Sequence, residues 1–188
     1  MSEAPRTEDP RRRETRRAPS VVIVNTGDGK GKSTAAMGMV MRSVARNWQV
    51  AVVQFIKSGK WKVGEEKMGH RLGVEWIAGG DGFSWDSEDL DRSAELNRET
   101  WDLARRRIET GTHRLVVLDE ITYPINWGWI DAEEVAATIL NRPDKVNVVI
   151  TGRDAPARLI EIADTVTEMT PVKHAYEQGI RAIRGIDF

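Results

Sequence analysis

Six apolar runs recur along the chain, at 20–25, 50–56, 73–77, 114–119, 145–150 and 164–169. They are nearly continuous and rich in β-branched residues, the pattern of strands covered on both faces. Between them lie stretches with helical spacing, at 32–46, 88–110, 131–141 and 155–162. In the second of these, Leu90, Ala94, Trp101, Ala104 and Ile108 fall on one face. It opens with acids, closes with Arg105, Arg106 and Arg107, and is followed by Gly111, as a helix that complements its own dipole should be. Asp131 and Asp154 are starts for the two later helices, with Pro156 in a first turn. Alternation of this kind predicts an α/β fold with a mainly parallel sheet of about six strands, right-handed crossovers, and ligands at the C-terminal strand edge.

The turn between the first strand and the first helix carries the strongest chemical signal. Residues 25–34 read Asn-Thr-Gly-Asp-Gly-Lys-Gly-Lys-Ser-Thr, between Val21-Val22-Ile23-Val24 and a helix-like stretch from Ala35. Strand, glycine-rich turn, Gly-Lys-Ser and helix is the order of a phosphate-binding P-loop. Gly27, Gly29 and Gly31 let amide groups point inward, and the following helix adds its positive end. Lys32 is placed for the β- and γ-phosphates and the Ser33 hydroxyl for a magnesium ion. The general spacing would put a glycine at position 26, where this chain has Thr26, so the loop is one residue tighter than usual. With this motif the fold expectation becomes a P-loop NTPase-like (RecA-like) three-layer domain.

Composition narrows the class. A chain of 188 residues fits one domain, with 20–188 as its body and 1–19 as a flexible tail. The first twenty residues hold six arginines, four acids and three prolines with almost no apolar content, and no signal-peptide core follows. A net charge of −1 gives no reason to expect a nucleic-acid partner, and no stretch is long and apolar enough for a membrane span. The absence of cysteine excludes disulfides and thiolate metal sites, and agrees with a cytoplasmic location. Seven tryptophans stand against two tyrosines, and Trp61, Trp76, Trp85, Trp101, Trp127 and Trp129 are mid-chain, as core residues or the walls of a pocket for a flat ligand.

Leu115-Val116-Val117-Leu118-Asp119-Glu120 has the form of a Walker B strand, with Asp119 holding the loop's magnesium directly or through water. Glu120 fits equally a residue that polarises water and one that holds a substrate hydroxyl. Strand ends at the same edge add Gln54, Lys57 and, after Thr151-Gly152, the planar fork of Arg153. His70, His113 and His174 are too scattered for a metal cluster. Phe83 and Trp85 sit in the glycine-rich 79–87 stretch, as a local plug or a ligand platform. From the residues alone, a P-loop phosphotransferase acting on a small hydroxyl substrate and a non-catalytic ATP-binding switch both remain open.

Several segments together resemble one family, the CobA/CobO/BtuR-type ATP:corrinoid adenosyltransferases. The likeness rests on Thr26-Gly27-Asp28-Gly29-Lys30-Gly31-Lys32-Ser33-Thr34, Val53-Gln54-Phe55-Ile56-Lys57, Gly82-Phe83-Ser84-Trp85-Asp86 and Leu118-Asp119-Glu120-Ile121-Thr122-Tyr123. It continues in Ile150-Thr151-Gly152-Arg153, Ala163-Asp164-Thr165-Val166, Pro171-Val172-Lys173-His174-Ala175 and Gly185-Ile186-Asp187-Phe188. The shortened loop is a feature of that family.

The resemblance implies transfer of the 5′-deoxyadenosyl group of ATP to the cobalt of a reduced corrinoid, with release of triphosphate. ATP would contact Thr26, Gly27, Asp28, Gly29, Lys30, Gly31, Lys32, Ser33, Thr34, Gln54, Lys57, Glu120 and Arg153, and Mg²⁺ or Mn²⁺ would sit with Ser33 and Asp119. It further implies that Lys32 supports the departing phosphates. The pair Phe83 and Trp85 would pack beneath the corrin and exclude its lower axial ligand, easing reduction of Co(II) to Co(I). A flavodoxin-type or other reductase and a homodimeric assembly belong to the same expectation.

Overall fold

The structure, a computed structural model, describes residues 15–58, 64–80 and 90–187. The described residues form six strands: β1 (Val22–Thr26), β2 (Val50–Ser58), β3 (Glu75–Gly80), β4 (Leu115–Asp119), β5 (Asn147–Thr151) and β6 (Thr165–Glu168). The helices are α1 (Lys32–Val44), α2 (Gly64–Arg71), α3 (Leu90–Glu109), α4 (Thr122–Asn126), α5 (Ala132–Leu140) and α6 (Ala157–Ile162), with a 3₁₀ turn at Ala175–Gln178. The strands form one sheet in the order β3-β2-β4-β5-β1-β6, and every adjacent pair is parallel. The α/β fold with a parallel sheet is therefore as the sequence pattern predicts.

Strand alternation splits the core into two layers. Val22, Val24, Val53, Phe55, Val116, Leu118, Val148 and Ile150 face a cluster that includes Trp101, Ala104 and Ile108 of α3, Val135, Ala136 and Ile139 of α5, and Leu159 of α6. Val50, Val52, Leu115, Val117 and Val149 face the other way, onto Ala36 and Val40 of α1. Each inward side chain fully removed from water stabilises the fold by about 1.5–3 kcal/mol before entropy is subtracted. Central strands buried on both faces account for the unbroken apolar runs. The two edge strands differ: β3 is half-buried throughout and all four residues of β6 are exposed.

Local signals set the helix ends. The Asp131 carboxylate accepts from the Glu133 amide at 2.9 Å and caps α5. Before α6 the capping position belongs to Pro156; Asp154 instead takes a left-handed φ of 49° in the preceding turn. Two helices have no counterpart in the hydrophobic pattern. Within α2 only Gly69 is buried, so there is almost no apolar stripe to read, and α4 is a single turn interrupted by Pro124. Residues 15–19 are exposed and outside any regular element, whereas 1–14 lie outside the described residues.

The tryptophans divide between roles. Trp101 is buried and donates to Glu134 Oε1 at 2.8 Å. Trp48 lies under the Arg114 guanidinium at 4.5 Å, a cation–π contact. Trp127 and Trp129 pack on each other with ring centres 4.7 Å apart, and Tyr123 sits 5.8 Å from Trp127. Trp61 and Trp85 lie outside the described residues.

Candidate active site

The loop after β1 turns through glycines at φ 89° (Gly27) and φ 119° (Gly31), where a side chain would be strained. Gly31 occupies the N-cap of α1 with no side-chain cap, which leaves the first amides of the helix directed at the loop. Lys32 curls back over this turn, and its ammonium donates to Gly27 O at 2.6 Å and Gly29 O at 2.7 Å. Burial lowers its pKa from the ordinary lysine value, and the nearby Arg153 charge adds to this; Asp28 and Glu120 oppose it. Arg153 Nε stands 3.6 Å from Asp28 Oδ1 across the mouth of the loop, in an exposed pair.

Gly29 is held by a different constraint. Its φ lies outside the left-handed region, but a side chain there would come within 2.7 Å of Met169 O and 2.8 Å of Met169 C. The Gly29 amide donates to that same carbonyl at 2.6 Å, and the Met169 amide donates to Thr26 O at 2.8 Å. The chain leaving β6 thus continues its pairing past the strand and fastens the loop from the side.

A polar relay crosses the sheet edge beside the loop. Trp76 Nε1 donates to Gln54 Oε1 at 3.0 Å, and Gln54 Nε2 donates to Asp119 Oδ2 at 3.0 Å. From the other side Thr151 Oγ1 donates to Asp119 Oδ1 at 2.7 Å and accepts from the Glu120 amide at 2.9 Å. Four adjacent strands, β3, β2, β4 and β5, each contribute one member: Asp119 and Thr151 close their strands, Gln54 lies midway along β2 and Trp76 near the start of β3. Asp119 is fully buried. Glu120 adopts φ 65°, a costly conformation for a residue with a side chain, and its bond to Thr151 supports that backbone.

The segment after β6 folds over the loop. Lys30 Nζ pairs with Asp187 Oδ1 at 2.8 Å, and Asp187 Oδ2 accepts from the Ile183 amide at 2.7 Å. Between segment and loop lies a polar cavity of about 560 Å³, with Lys30, Lys32, Arg153 and His174 among its walls. A second cavity of about 350 Å³ opens between α1 and α2 and is mainly apolar, walled by Met37, Met41, Met68, Leu72 and Trp76. Trp76 belongs to both neighbourhoods, lining this cavity and bonding Gln54. Among the described residues no group of three or more His, Asp or Glu side chains is arranged to hold a metal.

The sequence-predicted residues fall into four groups. Gly27, Asp28, Gly29, Lys30, Gly31, Lys32 and Arg153 come together around the loop. Ser33 and Thr34 stand in the first turn of α1, Thr34 at the wall of the apolar cavity. Thr26, Gln54 and Asp119 are buried and bonded within the protein, Thr26 Oγ1 accepting from the Ala155 amide at 3.1 Å. Glu120 is half-buried beside them. Lys57 is in β2 with its side chain outside those described, and Phe83 and Trp85 lie outside the described residues altogether.

Sequence reasoning named Trp76 only as a core or pocket-wall residue and did not anticipate its bond to Gln54, nor the parts of Met169 and Tyr123. Tyr123 lies three residues after Glu120 and its amide donates to Glu120 O at 3.3 Å; burial raises its pKa from the ordinary phenol value. Trp76 and Met169 belong to no local motif; only the fold brings them to the site.

Known proteins align with this chain over most of its length. The family described as ATP:corrinoid adenosyltransferase BtuR/CobO/CobP matches residues 19–188. A corrinoid adenosyltransferase of Escherichia coli (strain K12) is 41% identical over 168 residues, covering 89% of this chain and 85% of the relative. The corrinoid adenosyltransferase CobA of Salmonella typhimurium (strain LT2) is 39% identical over 168 residues, with the same coverage of 89% and 85%. One from Pseudomonas aeruginosa is 41% identical over 170 residues, covering 89% of this chain and 83% of the relative.

Proposed function

The chain belongs to the ATP:corrinoid adenosyltransferase family, enzymes that transfer the adenosyl group of ATP to corrinoids, and from that premise we propose how this site divides the work. The loop at 27–34 holds the triphosphate of ATP as a leaving group, while the ribose C5′ faces the reduced corrinoid. Co(I) supplies an electron pair to form the Co–C5′ bond as the C5′–O bond breaks, and triphosphate departs with the electrons of that bond. Charge grows on the phosphates in this step. The observation that carries the reading is Lys32, held over the glycine turn by two carbonyls in a cavity it shares with Lys30 and Arg153. Preorganised donors of this kind act without having to reorient as the charge appears.

Ser33 and Asp119 present a hydroxyl and a carboxylate, a hard oxygen set that fits Mg²⁺, which takes few protein ligands and keeps waters and phosphate oxygens. Such an ion supplies charge neutralisation on the phosphates. Both Asp119 oxygens accept a bond from a neighbour, which fixes the carboxylate's orientation toward the ion it would meet directly or through water. Phe83 and Trp85 carry the exclusion of the lower cobalt ligand that the family resemblance implies. A flavodoxin-type or other reductase provides the electron for Co(I), and the expected assembly is a homodimer.

Anaerobic incubation with ATP, Mg²⁺ and chemically reduced cobalamin tests the reading. A light-sensitive Co–C absorption spectrum with stoichiometric triphosphate is the expected result. ADP and phosphate as products would replace it with phosphotransfer. A Trp85→Ala variant is expected to keep activity with chemically reduced Co(I) and lose it with Co(II) and a physiological reductant; full activity with Co(II) removes the aromatic role.

A further inference from the structure

We infer that His174 is a phosphate-binding residue, donating through Nε2 to the polyphosphate held by the loop. This rests on the reading above that the loop holds the phosphates of ATP. Of residues 171–187, only His174 and Asp187 are partly buried; the others are exposed. Asp187 is turned to the loop, where it pairs with Lys30 at 2.8 Å. His174 is turned to the same place and lines the polar cavity of about 560 Å³ from the wall that faces the glycine turn. The cavity's cations are Lys30, Lys32 and Arg153, and its acids Asp28 and Glu177 lie among them, so an imidazole donor adds to a surplus of positive groups.

The ring's hydrogen bonding assigns its proton. His174 Nδ1 accepts from the Tyr176 amide at 3.1 Å as the N-cap of the Ala175–Gln178 turn. In a neutral imidazole with Nδ1 as acceptor, the proton is on Nε2. The turn therefore fixes a tautomer whose free nitrogen is a donor, without any change of charge. The wall itself is anchored, since Met169 is bonded to Thr26 and Gly29 a few residues earlier. Loop amides and Lys32 grip the phosphates from one side, and His174 meets them from the other.

Two substitutions separate this role from simple capping. His174→Asn keeps an acceptor at the Nδ1 position and loses the Nε2 donor; His174→Gln does the reverse. The probe is inorganic triphosphate, titrated calorimetrically into the full chain with Mg²⁺, with thermal unfolding followed for each variant. The expected result is a loss of affinity of roughly ten- to hundredfold in His174→Asn, the scale of one hydrogen bond to a charged group, and near-native affinity in His174→Gln. Native affinity in His174→Asn overturns the inference, whether or not His174→Gln weakens. If either variant fails to fold, inhibition by triphosphate of a His174→Ala variant decides, an unchanged inhibition constant overturning it. A native chain that binds no triphosphate overturns the underlying reading of the loop as well, so the two failures are distinct.

Discussion

The hydroxyl of Thr151 bridges the two acids at the end of β4, donating to Asp119 Oδ1 at 2.7 Å while accepting from the Glu120 amide at 2.9 Å. One small side chain on β5 therefore sets the orientation of a buried carboxylate and supports the strained backbone beside it. Replacement by valine keeps the shape and deletes both bonds. Thr151→Val is expected to cost about 1–3 kcal/mol of stability, because buried polar groups lose partners. Turnover should fall by about 10- to 100-fold with a raised Mg²⁺ requirement, as for residues that orient a metal's ligand. Thr151→Ser should recover most of both. Melting temperatures and Mg²⁺ titrations of activity check this, and a Val variant with native Mg²⁺ dependence speaks against Asp119 as the metal-facing acid.

In the proposed reaction Lys32 is the side-chain donor assigned to the departing phosphates. Lys32→Met is expected to lower kcat by about 10²–10³-fold, the scale of one preorganised donor removed. Lys32→Arg should not restore it, since a planar fork cannot occupy the point between Gly27 O and Gly29 O that the ammonium fills. Triphosphate release from ATP measures both.

Two glycines in neighbouring segments should respond with opposite signs. At Gly29 a methyl group would press on the Met169 backbone at 2.7 Å, so Gly29→Ala should destabilise by about 1–3 kcal/mol and weaken nucleotide binding. At Gly38, inside α1, a methyl group meets nothing within 4 Å, so Gly38→Ala should stabilise by about 0.5–1 kcal/mol through helix propensity. Denaturant midpoints of the two variants are the measurement.

Acid should unfold this protein in two steps of sensitivity that meet at Glu75. Arg107 bonds Glu75 Oε1 at 2.7 Å and holds its carboxyl below the usual range; His113 Nε2 lies 2.9 Å from Oε2, and burial pushes the imidazole below its usual value. A histidine with a lowered folded pKa contributes stability above its unfolded value and loses it as pH falls below about 6.5. A carboxylate with a lowered folded pKa contributes stability above about 4.3 and loses it as pH falls further. The melting temperature should therefore decline from neutral pH downward. His113→Gln should flatten the upper part of that decline and Glu75→Gln the lower part. A native melting temperature that rises between pH 7 and pH 5 contradicts the assignment.

The inner strands were legible in the sequence because they are buried on both faces, so their apolar character is local. The loop was legible because its chemistry is contiguous: Gly27, Gly31, Lys32 and Ser33 lie within one turn. Gln54 illustrates the limit. Its place at a strand end suggested a nucleotide contact, yet both ends of its amide are bonded within the fold, to Trp76 and Asp119. Nothing in the spacing of residues 54, 76, 119 and 151 announces that strand order brings them into one line. The segment at 169–187 carried part of the family likeness but no sign of its packing, since it has neither periodicity nor a buried face of its own. It takes its shape from Thr26, Gly29 and Lys30.

The bond between Gly29 and Met169 also has a meaning in time. During synthesis the glycine turn is made early, and α1 and the inner strands can form around it while the ribosome is still working. The carbonyl that fastens it emerges only after β6, and the ion pair of Lys30 with Asp187 later still. A nascent chain can thus possess a nearly complete sheet and an unfinished phosphate grip. The phosphate grip is therefore completed only once residues 169–187 are in place.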